Sequence, residues 1–584
     1  MNILELFLLA IVLFVLAYRF YARYLARKMG EKADRPTPAV DKNDGKDFVP
    51  TSVPVLFAHH YATIAGAGPI IGPTMGILYG VGPAWLWIVI GGIFFGAVHD
   101  FSALFASIRE GGQSIAEIAR KALGDFGFLL FIAFTGIMLI LVTSAFLSLT
   151  AVSLTSIWPI DKLGLEAGQT LLKVRLVDGQ PMGIIGGIAS TSVIIITACA
   201  PFLGFLIFKR RINTGLSFAL AIAVCVISVY VGFQWPVSMS SLTWMIIISI
   251  YVFIAAGLPV WTILQPRDFI NVQILYFGLI VMTLSVIIAG FGGAGTIHMP
   301  TFNLAEGQAQ MGPVWPILFI IIACGAISGF HALVAGGTTA KQLARESQAK
   351  VVGYGAMILE SALAVLVILA IASSLKYADY MTITWPAAGT GNPILAYALA
   401  VGNLAHRALG IPVAFGAIIG ILMVEGFVVT TLDSAVRLNR YIFEELWKRI
   451  FENTPALFGK FWFNSALAVI LMFILAVSNG YKLIWPVFGA SNQLLAALSL
   501  LAVSAWLRLR GRANWFTLVP AVIMLATTIA ALIYYLVEKY IPTGNIALII
   551  TDFILLILAF GVVFQTCRKS FGAKRQQESP AISA

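Results

Sequence analysis

Nine ionisable side chains stand inside long apolar runs of this chain: His59, His60, His99, Asp100, His331, Glu360, Glu425, Asp433 and Asp552. In hydrocarbon such groups are costly, so they usually face a cavity, a polar pathway or a partner. His59 and His60 precede AGAGPIIGP (65–73), where glycine favours and proline enforces a break in the helical hydrogen-bond ladder. Half-helix ends at such a break carry partial charges that suit an anionic group or a cation. His59, His60, Gly66, Gly68 and Pro69 therefore form the expected substrate site; the competing reading is a glycine-packed helix crossing. His99 and Asp100 (GAVHDF) read either as a proton-coupling pair or as a buried structural network. Neighbours on a helix project about 100° apart, so the two need not touch.

Two further stretches carry similar chemistry. In SGFHALVAGGTTAKQ (328–342), His331, Thr338 and Thr339 flank a second glycine-rich break. Hydroxyls and bare carbonyls there suit a hard cation or a substrate carboxylate, or else are packing groups. In EGFVVTTLDSAVRLNRYIFEEL (425–446), Glu425 is deep and unpaired in the sequence, which makes it a better proton-carrier candidate than Asp433, beside His60 and His99. Asp433 is a further ion-coupling candidate, although Arg437 four residues on predicts a salt bridge along one helical face. Thr430 and Thr431 are placed to line a polar path. His60 and His99 are the residues considered for a metal, but HExxH spacing is absent, as is the GxxxxGK[ST] loop of an ATP-driven motor.

The elements that must position these groups follow from composition. Of 584 residues, 60% are hydrophobic and 11% charged, with a mean hydropathy of +0.93. A soluble domain could not bury that much apolar surface, so the expected class is an all-α polytopic membrane protein whose first partner is the lipid bilayer. Apolar runs give about fifteen spans, within a range of about 14–18, at roughly twenty residues each. They lie near 2–23, 53–80, 82–108, 126–152, 183–208, 212–233, 242–264, 269–290, 314–340, 351–374, 411–434, 462–479, 483–506, 515–537 and 546–567.

The net charge of +11 does not point to nucleic acid, because Lys and Arg sit in short clusters beside the apolar runs. Each odd-numbered segment ends in one, from Arg23, Arg27 and Lys28 to Arg568 and Lys569. That alternation predicts an outside N-terminus and a cytoplasmic C-terminus. The first segment has basic residues after it and none before, which reads as a retained helix rather than a cleaved leader. The four cysteines are widely spaced and read as core residues.

Many secondary transporters contain two inverted copies of a helical bundle, each opening with a broken helix. Segment two would open the first copy. Segment seven, with its break AAGLPVW (255–261), is the favoured opening of the second, and segment nine is the rival.

The blocks GKDFVPTS (45–52), LFAHHYATIAGAGPIIGP (56–73), GAVHDF (96–101), LPVWTILQPRDFIN (258–271), GFHALVAGGTTAKQ (329–342), VVTTLDSAVRLNRY (428–441) and WPVFGASNQLLAALSL (485–500) resemble the carbon starvation protein A family, in its order and across most of the chain. Ala58, Tyr61 and Val429 are small departures from the family pattern, and none falls on a candidate site residue. The resemblance implies a fold like that of the amino acid–polyamine–cation transporters, with a five-plus-five inverted-repeat core and extra helices. It implies a carbon-starvation domain near 1–380 and a five-helix region near 381–520, leaving last helices at 521–567 and a cytoplasmic tail at 568–584. It also implies a bacterial inner-membrane importer of short peptides or of pyruvate under carbon limitation. The resulting expectation is a secondary transporter with no cofactor, a small-molecule or peptide substrate, and H⁺ or Na⁺ as the coupling ion. An intramembrane enzyme, a structural metal site and a passive channel are the competing classes.

Overall fold

The computed structural model describes residues 2–577 apart from 33–34, 45–47, 167–168, 170, 211, 260–261 and 388–390. Among these residues, 12 helices are long and apolar enough to cross a membrane, and 13 if the bent pair Leu56–Ile64 and Gly68–Tyr79 counts as one span. The chain is a multi-pass membrane protein. Two of the fifteen expected spans take other forms. Segment seven is the short apolar helix Ser241–Gly257, which stops before Pro259. Segment nine is two eight-residue helices, Val314–Ile321 and Phe330–Gly337, separated by a non-helical stretch at 322–329. Part of the break expected at 255–261 lies outside the described residues, because Val260 and Trp261 do.

Burial sorts the spans into centre and rim. The most apolar window of Leu483–Leu509 is 100% buried and that of Val413–Ile450 is 83%, against 28% for Gly215–Gln234 and 33% for Ile3–Met29. The rim helices present Leu8, Val12, Val15, Ile222 and Val226 outward, as a lipid-facing surface requires. A small antiparallel sheet, Trp158–Pro159, Gln180–Gly183 and Val174–Val177 in that spatial order, closes the long loop near 157–182.

The basic ends of several segments meet on one face. Arg109 donates to the Gly30 carbonyl at 2.5 Å and to Glu346 at 2.6 Å, and Lys42 donates to the Gly111 carbonyl at 2.9 Å. Glu110 accepts from Lys121 and Arg510, each at 2.5 Å, and from the Trp506 indole at 2.7 Å. Burial raises the Glu110 carboxyl, but these three donors outweigh it and hold it below the usual carboxylate range.

Two interrupted helices cross in the interior. The first breaks at 65–67, where Gly66 takes a positive φ of 28°, and restarts at Gly68 with Pro69 in its first turn. The halves are bent by 42°. A Cβ at Gly68 would stand 2.3 Å from the Cβ of Cys324 in the second interruption, so only glycine allows the two breaks to approach this closely. The second interruption is held by Asn492, a buried residue of the central helix Leu483–Leu509. Its side-chain oxygen accepts from the Phe330 amide at 3.1 Å and from the Ser328 hydroxyl at 3.2 Å. Its NH₂ group donates to Cys324 Sγ at 3.2 Å, and its own carbonyl accepts from the Gly329 amide at 3.0 Å. Asn492→Ala strips the side-chain bonds from a buried half-helix start, so it is expected to cost about 1–3 kcal/mol, read as earlier thermal unfolding of the purified protein than for Asn492→Gln.

Candidate functional site

At the crossing of the broken helices, polar groups form a chain. Asp100 sits between two histidines: Oδ1 meets His99 Nδ1 at 2.8 Å, and Oδ2 meets His331 Nδ1 at 2.7 Å. The other nitrogen of His331 lies 3.3 Å from Glu360 Oε2. The Ile64 carbonyl, at the end of the first half-helix, also lies beside His331. All four side chains are no more than 1% exposed. Three elements supply them: Val81–Arg109 carries His99 and Asp100, Phe330–Gly337 carries His331, and Lys350–Ser374 carries Glu360. His99 and Asp100 do touch, although neighbours on a helix project about 100° apart.

His60 hydrogen-bonds Thr339 at 2.8 Å through Nδ1, which ties the first broken helix to the end of the second. His59 is partly buried, and its carbonyl accepts from the Thr63 hydroxyl at 2.8 Å. Thr338 turns its hydroxyl back to the Val334 carbonyl at 3.0 Å, which ends that half-helix. Gly66 packs beside Thr431, whose Oγ1 would be 3.4 Å from an added Cβ. Several buried atoms around the crossing have no hydrogen-bond partner among the described residues: His60 Nε2, Tyr61 Oη, His99 Nε2, Glu360 Oε1 and Thr431 Oγ1. Buried polar atoms are rarely left unpaired, so these are the atoms at the crossing with hydrogen-bonding capacity to spare.

The structure corrects one expected pairing on Val413–Ile450. Asp433 does not pair with Arg437; it accepts from Arg267 and from the Tyr251 hydroxyl, each at 2.8 Å. Arg437 instead donates to the Ala255 and Leu258 carbonyls at 2.8 and 2.5 Å, where a guanidinium satisfies the open C-terminal end of Ser241–Gly257. Glu425, which has no partner nearby in the sequence, accepts a hydrogen bond from the distant Ser153. Neither carboxylate bonds to the histidine chain. Beside them, Asp268 accepts from Thr430 at 2.8 Å. Ala62, Asp268, Asn271, Gly426 and Thr430 line a cavity of about 10 Å³, room for about one water.

The sequence singles out Glu360 without giving it a role, and Arg267 stands in it only as the basic residue that follows segment seven. It gives no role to Tyr61, Tyr251, Asp268 or Asn492. The available signal was the adjacent pair Arg267–Asp268 in LQPRDF, since a buried guanidinium requires a carboxylate from elsewhere in the chain. Among the described residues no group of three or more His, Cys, Asp and Glu side chains is arranged to hold a metal ion.

A bundle of apolar helices built around two breaks, with ionisable groups at their crossing, has the architecture of a membrane transporter. A model of the family described as carbon starvation protein CstA matches residues 2–396 and 387–531, and the chain belongs to that family. A relative named peptide transporter CstA, from Campylobacter jejuni subsp. jejuni, is 31% identical and aligns over 91% of this chain and 80% of its own. One named pyruvate/proton symporter BtsT, from Escherichia coli strain K12, is 30% identical over 90% of this chain and 80% of its own. A solved manganese transporter from Eremococcus coleocola covers 84% of this chain and 95% of its own at 11% identity and a TM-score of 0.34, a likeness from which nothing about cargo follows. The protein is a transporter and not an enzyme.

Proposed function

We propose that the chain is a proton-coupled secondary transporter that imports a small carboxylate such as pyruvate, or a short peptide, across the bacterial inner membrane. The observation that carries this reading is the buried chain Glu360–His331–Asp100–His99 at the crossing of two broken helices. One imidazole between two carboxylates can take up a proton and pass it on with little movement of heavy atoms. The substrate carboxylate is taken at the first break, by the start of Gly68–Gly76, His60 Nε2 and the Thr431 hydroxyl. Alternating access then moves one bundle against the other about the two breaks. The contact between those breaks favours an inverted repeat whose second copy opens at segment nine. Positive charge at the ends of odd-numbered segments supports a cytoplasmic face there, with the N-terminus outside.

Uptake into proteoliposomes tests this reading, using labelled pyruvate and a set of di- and tripeptides under an imposed pH gradient or Na⁺ gradient. The expected result is saturable accumulation of one substrate class driven by the pH gradient. Accumulation driven by Na⁺ alone would remove the proton role. Uptake that neither gradient alters, or that does not saturate, would sink the symporter and favour a passive channel.

A further inference from the structure

A second concavity lies where three other helix ends converge: the C-terminal end of Ser241–Gly257, the last turns of Val413–Ile450 and the start of Phe461–Ser478. It is a groove of about 580 Å³ lined by Gly257, Arg440, Glu444, Lys460, Phe461 and Trp462, among others. Two cations face one carboxylate. Arg440 is 8% exposed and donates to the Ala256 carbonyl at 3.0 Å through Nη1. Its Nε has no hydrogen-bond partner among the described residues and lies 3.7 Å from Glu444. Lys460 is exposed, immediately precedes the following helix and stands 5.9 Å from the Trp462 ring. No carboxylate pairs with it among the described residues. The positive end of that helix adds to the field in the groove.

The surroundings distinguish a lipid from a free anion. Phe461 and Trp462 are exposed at the rim, as aromatic side chains are at a membrane–water interface. From that rim, Ile250 and Ile254 on one helix and Ile470 and Ile474 on the other expose apolar surface along the two spans. A free phosphate would have no use for that strip, whereas acyl chains would cover it. We propose that this groove binds the phosphate of an anionic phospholipid, with Lys460 and Arg440 holding the headgroup, Trp462 seating the glycerol region and the acyl chains lying along Ser241–Gly257 and Phe461–Ser478. The groove lies at the end of Val413–Ile450 that carries Lys448 and Arg449, the face read as cytoplasmic.

Native mass spectrometry of the purified full chain in neutral detergent tests the site, with phosphatidylglycerol or phosphatidylcholine added. Lys460→Gln removes one interfacial charge and is expected to lower phosphatidylglycerol retention about fivefold. Trp462→Ala should lower it as well. Lys460→Arg and the distant Lys539→Gln should retain lipid as the unaltered chain does, and phosphatidylcholine should be retained poorly throughout. Equal phosphatidylglycerol retention by Lys460→Gln and Trp462→Ala, with unchanged melting temperatures, would overturn the proposal. So would equal retention of phosphatidylcholine, or displacement of the lipid by millimolar inorganic phosphate, which would mark a free-anion site.

Discussion

Asp100→Asn is expected to lower pH-gradient-driven uptake by about 100-fold or more, the scale set by loss of a positioned proton-transfer group. The substitution keeps the size of the side chain and removes its charge. As a carboxylate, Asp100 accepts from both His99 and His331; an amide offers one oxygen and one NH₂, so one of the two imidazoles must change tautomer or lose its bond. The carboxylate that faces His331 opposite Glu360 is gone. Exchange of labelled for unlabelled substrate across the same proteoliposomes needs no net proton movement, so it is expected to survive within about tenfold. A parallel collapse of exchange and driven uptake would show that Asp100 merely holds the helices in place. Undiminished driven uptake would move the coupling site elsewhere, to Glu425 or Asp268.

Arg267→Met is expected to be the most destabilising single change considered, at about 3–5 kcal/mol. Arg267 and Asp433 are each 1% exposed and meet at 2.8 Å, with the Tyr251 hydroxyl 3.0 Å from the same guanidinium nitrogen. Removing the cation leaves a buried carboxylate with a hydroxyl as its remaining hydrogen-bond donor. The pair itself is worth less than that loss, because both charges were desolvated to form it. Accordingly, Arg267→Met with Asp433→Leu should recover most of the thermal stability lost by Arg267→Met alone. A double variant no more stable than the single one would show that packing of the arginine stem, and not charge compensation, dominates. Driven uptake by the double variant measures whether this pair also takes part in transport.

The two expectations differ in how far the sequence supported them. His99, Asp100 and His331 were conspicuous as ionisable groups in apolar runs, and the break at Gly66–Pro69 was plain from glycine and proline alone. Such groups are locally costly, so composition exposes them. Their contacts were not legible. Asp100 and His331 are 231 positions apart, and the i,i+4 rule assigned Asp433 to Arg437 when the three-dimensional structure gave it to Arg267. Helical spacing says which side chains share a face, but it cannot say which distant helix arrives against that face.

Apolar length, charge alternation and broken-helix residues were together enough to determine a multi-pass membrane protein with interrupted spans and buried protonatable groups. These properties depend on transfer of side chains and backbone into lipid, which is a sum over local residues. Only the tertiary structure decided that the second break lies at 322–329, that Asn492 holds it open, and that Glu360 joins the histidines. Those outcomes depend on which helices pack together, and in a bilayer nearly every helix is apolar enough to pack against any other. Close approach at glycine and satisfaction of buried polar atoms then select the partners, and both are properties of pairs distant in sequence.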